Sequence, residues 1–598
     1  MPKPKPKPKP SSSLPTQSDR ERTGRQVNPG TRARADGLEL RSYEVGALPL
    51  LRRILERMQL ERLLHEYLPT DDPRTELSTV TALLVLIANL LLSREPVYGV
   101  GEWAAHFPPE LLGLSAKDLP RLHDDRLGRS LDRMFDGIGP TLVMAVVRHV
   151  VQEFAVSLDE LHNDSTTVSF YGAYDEAGQE SERRGRPTLG ITWGHSKARR
   201  PDLKQLLYIL TVTSDGNVPI HFSSASGNVV DDRTHIATWD LLHELIGHPD
   251  FLYVADCKLA SSENLSHIAT RGGRFVTVLP RGRTEDVAFR LRLRTASPAL
   301  TWKLLYALAD DDGEVKDELS ICGDDHVHSD GYRLLWFHSL RKADLDGVAR
   351  TRAIQRATEA LGDFRERLLG PRTRFRERAK VEQAVEKILA DAGAGSWLTI
   401  QIEEQEEETF RQATRGRPNE QTKYVKQTRS RYTLTWSLNL EALSEAERED
   451  GVFPLLTNDR KLTATEVIQA YKRQPLIEKR FSQFKSDFAV APVYLKNVAR
   501  IQGLLAAYFF ALVAQTLLER ELRQGMARTD QKSLPLYPED RACSRPTTQR
   551  VIEAFASIQR HEVRVGDQEA QVMVTELTKT HRAMIRLLGM DPKRYGLV

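Results

Sequence analysis

The chain has 598 residues, of which 40% are hydrophobic and 28% charged, with a formal net charge of +3. That composition excludes a largely disordered chain and is long enough for several structural units. Three scattered cysteines, Cys257, Cys322 and Cys543, exclude a disulfide framework; none lies in a C-x-x-C, so a structural zinc site is not expected and the usage fits a reducing cytoplasm.

The elements follow in chain order. Residues 1–40 read as a disordered basic tail, because MPKPKPKPKP favours extended, polyproline-like backbone and lacks the apolar run of a signal peptide. Residues 41–155 read as a helical N-terminal domain, a candidate for DNA-end binding. Leu50, Leu51, Ile54, Leu55 and Met58 recur at helical spacing, and Asp124-Asp125 open an amphipathic helix through Leu127, Leu131 and Phe135. Two apolar stretches, Val80–Leu92 and Leu504–Leu518, fall short of the roughly 20 residues of a membrane-spanning helix and read as buried core. No membrane partner is expected.

From about residue 156 the texture changes to a mixed α/β sheet. Strands are expected at Leu158–Asp164, Thr166–Phe170, Leu206–Thr213, Val218–Phe222, Phe251–Asp256 and Phe275–Leu279, with helices over Thr234–Ile246 and from Ser261. Residues 283–450 are less regular: charged helix over 349–392, then strands Leu398–Glu403 and Arg431–Leu440. The α/β texture returns at Phe453–Leu456 and helices run to about 525. A helical tail, 526–598, closes the chain.

Charge is unevenly placed. Residues 1–40 hold nine Lys and Arg against four Asp and Glu, while 183–204 and 411–432 each hold seven against one. Such patches suit a polyphosphate partner, although any one of them also reads as a solvated loop. The pair Asp324-Asp325 with His326, His328 and Asp330 has no metal-ligand spacing and reads as a polar loop. Gly185, Gly190 and Gly194 make no nucleotide-binding loop.

Three carboxylates stand out by position. Asp164 follows a strand in LHNDSTTVSFYG, and Asp256 ends one in YVADCKLASSEN. Strand ends in α/β sheets collect ligands. Glu478 lies on a helix that starts at Pro475, after a capping box at Thr463-x-x-Glu466 and the helix it opens. Lys485, seven residues on, falls on the same helix flank as Glu478. Carboxylates of this kind suit Mg2+ or Mn2+, and two such ions can drive phosphodiester displacement. The alternatives at each position are a strand-end cap or a solvated helix face. His162 reads as a strand-surface residue or a contact behind Asp164.

The string TATEVIQAYKRQPLIEKRFSQFK resembles the Y-x2-R-x3-E-x6-K signature of bacterial insertion-sequence DDE transposases, through Tyr471, Glu478 and Lys485. The arginine position holds Gln474, with Arg473 beside it. LHNDSTTVSFYGAY and YVADCKLASSENL look like the two aspartate motifs of that family, and GHSKARRPDLKQLLYILTVTSDGNVPIHFSSASGN looks like the strands between them. VYLKNVARIQGLLAAYFFALVAQTLLER resembles the end of its core, and LPLLRRILERMQLERLLHEYLP and DDRLGRSLDRMF look like its helical N-terminal domain. The resemblance implies an RNase H-like catalytic core, 156–282 and 451–525, interrupted by an insertion domain at 283–450. It implies Asp164, Asp256 and Glu478 as catalytic residues and ligands of two Mg2+ or Mn2+ ions. It implies DNA contacts by Tyr471, Arg473, Gln474 and Lys485; the basic patch adds Arg199, Arg200 and Lys204, and Trp436 is a candidate for stacking on a flipped base. The activity implied is cleavage at transposon ends, with a hairpin intermediate, and strand transfer into target DNA. The partners are double-stranded DNA, both terminal inverted repeats and target, and a second copy of the chain in a synaptic dimer, on the nucleoid of a bacterial cytoplasm. The alternatives are an inactive DNA-binding relative acting as a repressor, and an RNase H-like endonuclease without strand transfer.

Overall fold

The structure is a computed structural model. It describes residues 33–35, 38–174, 177–183, 185–197, 199–296, 300–309, 313–323, 326–370, 373–487, 495–566 and 568–597. The Lys-Pro segment and Asp324-Asp325 lie outside the described residues. The chain divides into two compact units: residues through His248 together with those from Pro475 onward, and Pro249–Gln474.

The first unit is built around one helix, Val498–Arg528. At 31 residues it is much longer than the apolar stretch read from sequence, and it is long and apolar enough to cross a membrane by length and composition. Here other helices bury it: Leu48–Arg57, Thr79–Leu92 and Asp124–Gly137 all pack on it. Each of those helices is written locally. Leu48, Leu50, Leu51 and Ile54 bury one face of the first. The Ser78 hydroxyl accepts from the Thr81 N–H at the start of the second, and the His123 ring caps the third, which carries Asp124 and Asp125 in its first turn. Asn89, buried mid-helix, donates to the Glu95 carbonyl at 2.8 Å and accepts from its N–H at 3.1 Å, so its amide is satisfied. At Gly503 a Cβ would lie 2.4 Å from the Leu131 carbonyl oxygen, so the crossing with Asp124–Gly137 requires glycine.

Two readings of the termini are corrected. Residues 33–35 and 38–44, placed in the disordered tail or at its edge, are strands. Leu38–Glu44 pairs antiparallel with Gln559–Val565, which also pairs with Gln571–Val574. The expected C-terminal helical tail therefore supplies two strands of this sheet as well as the helices Thr548–Phe555 and Lys579–Leu587. Pairing over more than 500 positions leaves no local periodic signal to read.

The sheet of this unit runs Glu160–Phe170, Lys204–Thr213, Pro219–Ser226, each antiparallel to the next. All ten residues of the central strand are buried, which explains its near-continuous apolar text, KQLLYILTVT. The expected break at Asp164 is absent; a single eleven-residue strand passes through it.

In the second unit, strands lie in the order Trp302–Ala309, Val315–Cys322, Arg333–Ser339, Val452–Thr457, Arg274–Val278, Leu252–Ala255. Only the last two pair in parallel, joined through the helix Ser262–Thr270, whose Ser261 cap is in place. Val452–Thr457 pairs with Arg274–Val278, from the segment read as the first part of the core, and with Arg333–Ser339, from the segment read as the insertion. Leu340–Leu369 and Arg378–Ala392 pack with the base of a long two-stranded ribbon, Leu398–Gln412 and Tyr424–Leu438, around Ala357, Leu361, Phe364, Val381 and Leu434. Each ribbon strand is 15 residues long, against six and ten read from sequence.

Candidate catalytic site around Asp164

Directly paired residues of antiparallel strands share a face, and the face alternates along each strand. Asp164 pairs with Leu210 and Thr166 with Tyr208, so Asp164 and Tyr208 point to the same side of the sheet. On that side the Phe484 ring stacks on Tyr208 with centroids 4.4 Å apart. Phe484 continues the helix that starts at Pro475, so the helix bearing Glu478 lies over the face that carries Asp164.

That helix is fixed by its buried side. Arg480 is 1% exposed; it donates to the Gly216 and Asn217 carbonyls, to the Gln483 amide oxygen at 2.6 Å and to Glu519 at 3.0 Å. Glu519 also accepts from Gln483 and from the Thr548 N–H. Phe484 meets Tyr508 edge-on, and Tyr208 stacks in turn on Phe222 and Phe222 on Phe509. Arg480 and Glu478 are two residues apart, about 200° around the helix, so anchoring the arginine inward turns Glu478 outward, where it is exposed. Burial opposes the charge of Glu519, yet the Arg480 and Arg523 guanidiniums and its hydrogen bonds hold its carboxyl below the usual carboxylate range.

Glu478 and Lys485 are not strictly aligned. The helix widens to a π turn over Gln483–Asp487, and a wider turn advances fewer degrees per residue than the α-helix assumed in the seven-residue reading. Lys485 is nonetheless close enough to Asp164 to feel it. Burial and the like charge of Lys197 hold its ammonium below the ordinary lysine value, and Asp164 acts in the opposite sense.

Lys197 is the residue that sequence reading missed. Its ammonium donates to the Ser165 hydroxyl at 2.6 Å and carbonyl at 2.8 Å, lies 3.5 Å from Asp164 Oδ1 and pairs with Asp231 at 2.8 Å. Asp164 also accepts from the Ser165 N–H at 2.7 Å. Lys197 counted in the sequence only as one charge of the second basic patch, and nothing in NVVDDRT singled out Asp231.

The other sequence-derived candidates divide between the units. Asp164, Glu478, Lys485, Arg199, Arg200 and Lys204 belong to the first; Asp256, Tyr471, Arg473, Gln474 and Trp436 belong to the second. Asp256 directly follows its strand, and its carboxylate accepts from the Lys258 N–H at 2.9 Å. Tyr471 packs by Phe453, and Gln474 is a buried helix C-cap. Arg199 is exposed with φ 56°, and Arg200 is held in a two-pronged pair with Asp202 beside the Tyr171 ring. Lys204 is corrected: it is buried, its ammonium bonded to the Ala173 carbonyl and 4.9 Å from the Trp193 ring, so it is a structural lysine rather than a surface phosphate contact. Trp436 packs on the core at the ribbon base with the Arg365 guanidinium over its ring at 5.1 Å. His162 is buried and bonded to Glu160 at 2.9 Å, neither at the strand surface nor aimed at solvent. His328 is likewise buried, accepting from the Asp330 N–H.

Among the described residues, no group of three or more Asp, Glu, His or Cys side chains gathers to hold a metal ion. Beside Asp164 the compensating cation is the Lys197 ammonium. Of the carboxylates expected to hold a metal, the first unit carries Asp164 and Glu478, and in this arrangement Lys197 occupies the side of Asp164.

Comparison with known proteins places part of this chain. A family model described as a domain of unknown function, DUF4277, matches residues 40–147, the helical segment of the first unit. Among curated proteins there is no match. Among solved structures, a cryo-EM structure of a piggyBac transposase synaptic complex with hairpin DNA matches with 12% identity and a TM-score of 0.22. That match covers 48% of this chain and 63% of the other. A likeness that slight carries no argument about fold or activity.

Proposed function

We propose that the protein is a DDE transposase that cleaves the ends of an insertion sequence and joins them to target DNA. The observation that carries this is the setting of Asp164: a carboxylate on the first strand of an antiparallel sheet, under a helix that carries Glu478 and brings Lys485 to that face. The same residues carry the sequence resemblance. Three consecutive antiparallel strands with a helix on their face are also in keeping with an RNase H-like core in the first unit.

On this reading Asp164, Asp256 and Glu478 are the catalytic carboxylates and would hold two Mg2+ or Mn2+ ions, which supply activation of a water or 3′-hydroxyl and stabilisation of the leaving oxygen. The chain's own residues do the rest. Lys485 meets a phosphate near the cleaved end as a point charge. Lys197 neutralises Asp164 and must release it before a divalent ion binds there. Tyr471 belongs to the signature, Arg473 stands beside its arginine position, which the buried Gln474 fills, and Arg199 and Arg200 belong to an exposed loop; Tyr471, Arg473, Arg199 and Arg200 are the DNA contacts. The partner is double-stranded DNA, bound as a dimer of this chain at paired ends.

The deciding experiment incubates the purified protein with DNA carrying the ends that flank its gene, in Mg2+ and in Mn2+. Nicked, hairpin and joined products are then resolved on gels. Joined products support the proposal. Cleavage without joining makes the protein an endonuclease, and binding without cleavage in either metal refutes an active enzyme.

A further inference from the structure

The two-stranded ribbon in the second unit changes character along its length. Its strands pair in unbroken register from Leu398↔Leu438 to Gln412↔Tyr424. Alternation puts Leu398, Ile400 and Ile402 on one face with Trp436 and Leu434, and that face packs against the core at the ribbon base. Beyond Glu404, whose carboxylate accepts from the Tyr432 hydroxyl, the packing stops. The nine pairs from Glu404 to Gln412 extend roughly 30 Å at about 3.4 Å per residue. A two-stranded ribbon is marginal in water without a partner for its face.

Its charges are also graded. Near the base, five glutamates lie between Glu403 and Glu408; Glu407 pairs with Arg431 at 2.6 Å and Glu408 with Lys426 at 2.5 Å. Toward the tip, Arg411, Arg415, Arg417 and Lys423 have no carboxylate partner among the described residues, and Glu420 is the one acid of 409–431. On the face that was apolar at the base, apolar side chains return: Phe410 is 65% exposed and Tyr424 53%. The turn is closed by an Ala413 N–H to Lys423 carbonyl bond and by the Asn419 side chain, which accepts from Gln421 and Thr422.

We propose that the distal end of this ribbon, residues 409–427, docks in the major groove of double-stranded DNA. The inference rests on the reading of the protein as one that acts on DNA, and it names the element that does the docking. Two strands about 4.8 Å apart, with side chains on either flank, match a groove about 12 Å wide and not a minor groove of about 6 Å. The four outermost pairs, Thr409 to Gln412, and the turn lie within one helical turn of roughly 34 Å. The face with Phe410, Lys426 and Tyr424 meets base edges, where an aromatic ring contacts thymine methyl groups. Arg415, Arg417 and Lys423 in the turn, with Arg411, reach the flanking phosphates.

The test uses the full chain and a labelled 40-bp duplex, with affinity read by anisotropy across a salt series. The variant R411Q/R415Q/R417Q/K423Q is expected to flatten the slope of log affinity against log salt by about 0.9 for each phosphate it no longer neutralises. Single substitutions R415Q and K423Q act in the same sense, which covers the case of a quadruple variant that misfolds. F410S/Y424S is expected to weaken binding several-fold at an unchanged slope. The wild type is expected to protect guanine N7 from methylation over one stretch of groove, and the quadruple variant to lose that protection. Wild-type affinity and slope in the quadruple variant overturn the proposal. So does unprotected N7 in the wild-type complex, or a loss confined to single-stranded DNA. Wild-type protein that binds no duplex removes the proposed function as well, whereas normal DNA cleavage with an unchanged slope removes only the ribbon's role.

Discussion

Glu519→Gln tests whether the buried anchor of the Glu478 helix is what orients it. Glu519 is 1% exposed and is the carboxylate that compensates Arg480, itself 1% exposed. The amide keeps the shape and removes the charge, leaving a guanidinium buried against carbonyls and Gln483 alone. Breaking one side of a buried pair costs about 3–5 kcal/mol. Replacing both members, as in Arg480→Met/Glu519→Met, should cost less than the single change, because no charge is then stranded. The pH dependence has a definite sign. The Glu519 carboxyl sits below its ordinary value in the folded chain, so its contribution is fully present above the unfolded value of about 4.3 and is lost as pH falls through the folded value. The glutamine variant should lack that acid limb. Urea unfolding followed by circular dichroism, at pH 7 and in steps below pH 5, measures both effects. A single variant destabilised by less than about 1 kcal/mol, or a double variant worse than the single, would refute the assigned role.

Asp164→Ala, Asp256→Ala and Glu478→Ala should each abolish cleavage of end-bearing DNA and leave its binding largely intact; a variant that still cuts at near the wild-type rate is not part of the catalytic set. Lys485→Ala should weaken end binding and slow cleavage, and Lys485→Arg should keep part of both, as read by gel shift and cleavage on the same preparations. Arg199→Gln/Arg200→Gln should flatten the salt dependence of DNA binding by up to about 0.9 for each phosphate left without its arginine, whereas Lys204→Met should leave the slope unchanged and lower the melting temperature. The reverse pattern would return Lys204 to the surface set.

Much of the local structure was legible in the sequence because it is encoded locally. The capping box at Thr463 and Glu466, the Ser261 cap, the break at Pro475 and the helical spacing of Leu50, Leu51 and Ile54 all appear where side-chain chemistry and period put them. The apolar text of Leu206–Thr213 likewise read as a strand, and one forms there. What tertiary structure decided involves partners far apart in the chain. Leu38–Glu44 becomes a strand only because Gln559–Val565 pairs with it, and Val498–Arg528 is an interior helix only because other helices and a strand cover it. Lys204 and Lys197 are both lysines of one basic patch in the sequence. Burial under the Trp193 ring makes one structural, and the Asp164 and Asp231 carboxylates draw the other into the site. Charge can be counted from sequence, but desolvation and the nearest counter-charge, which set what a charged group does, exist only once the chain has folded.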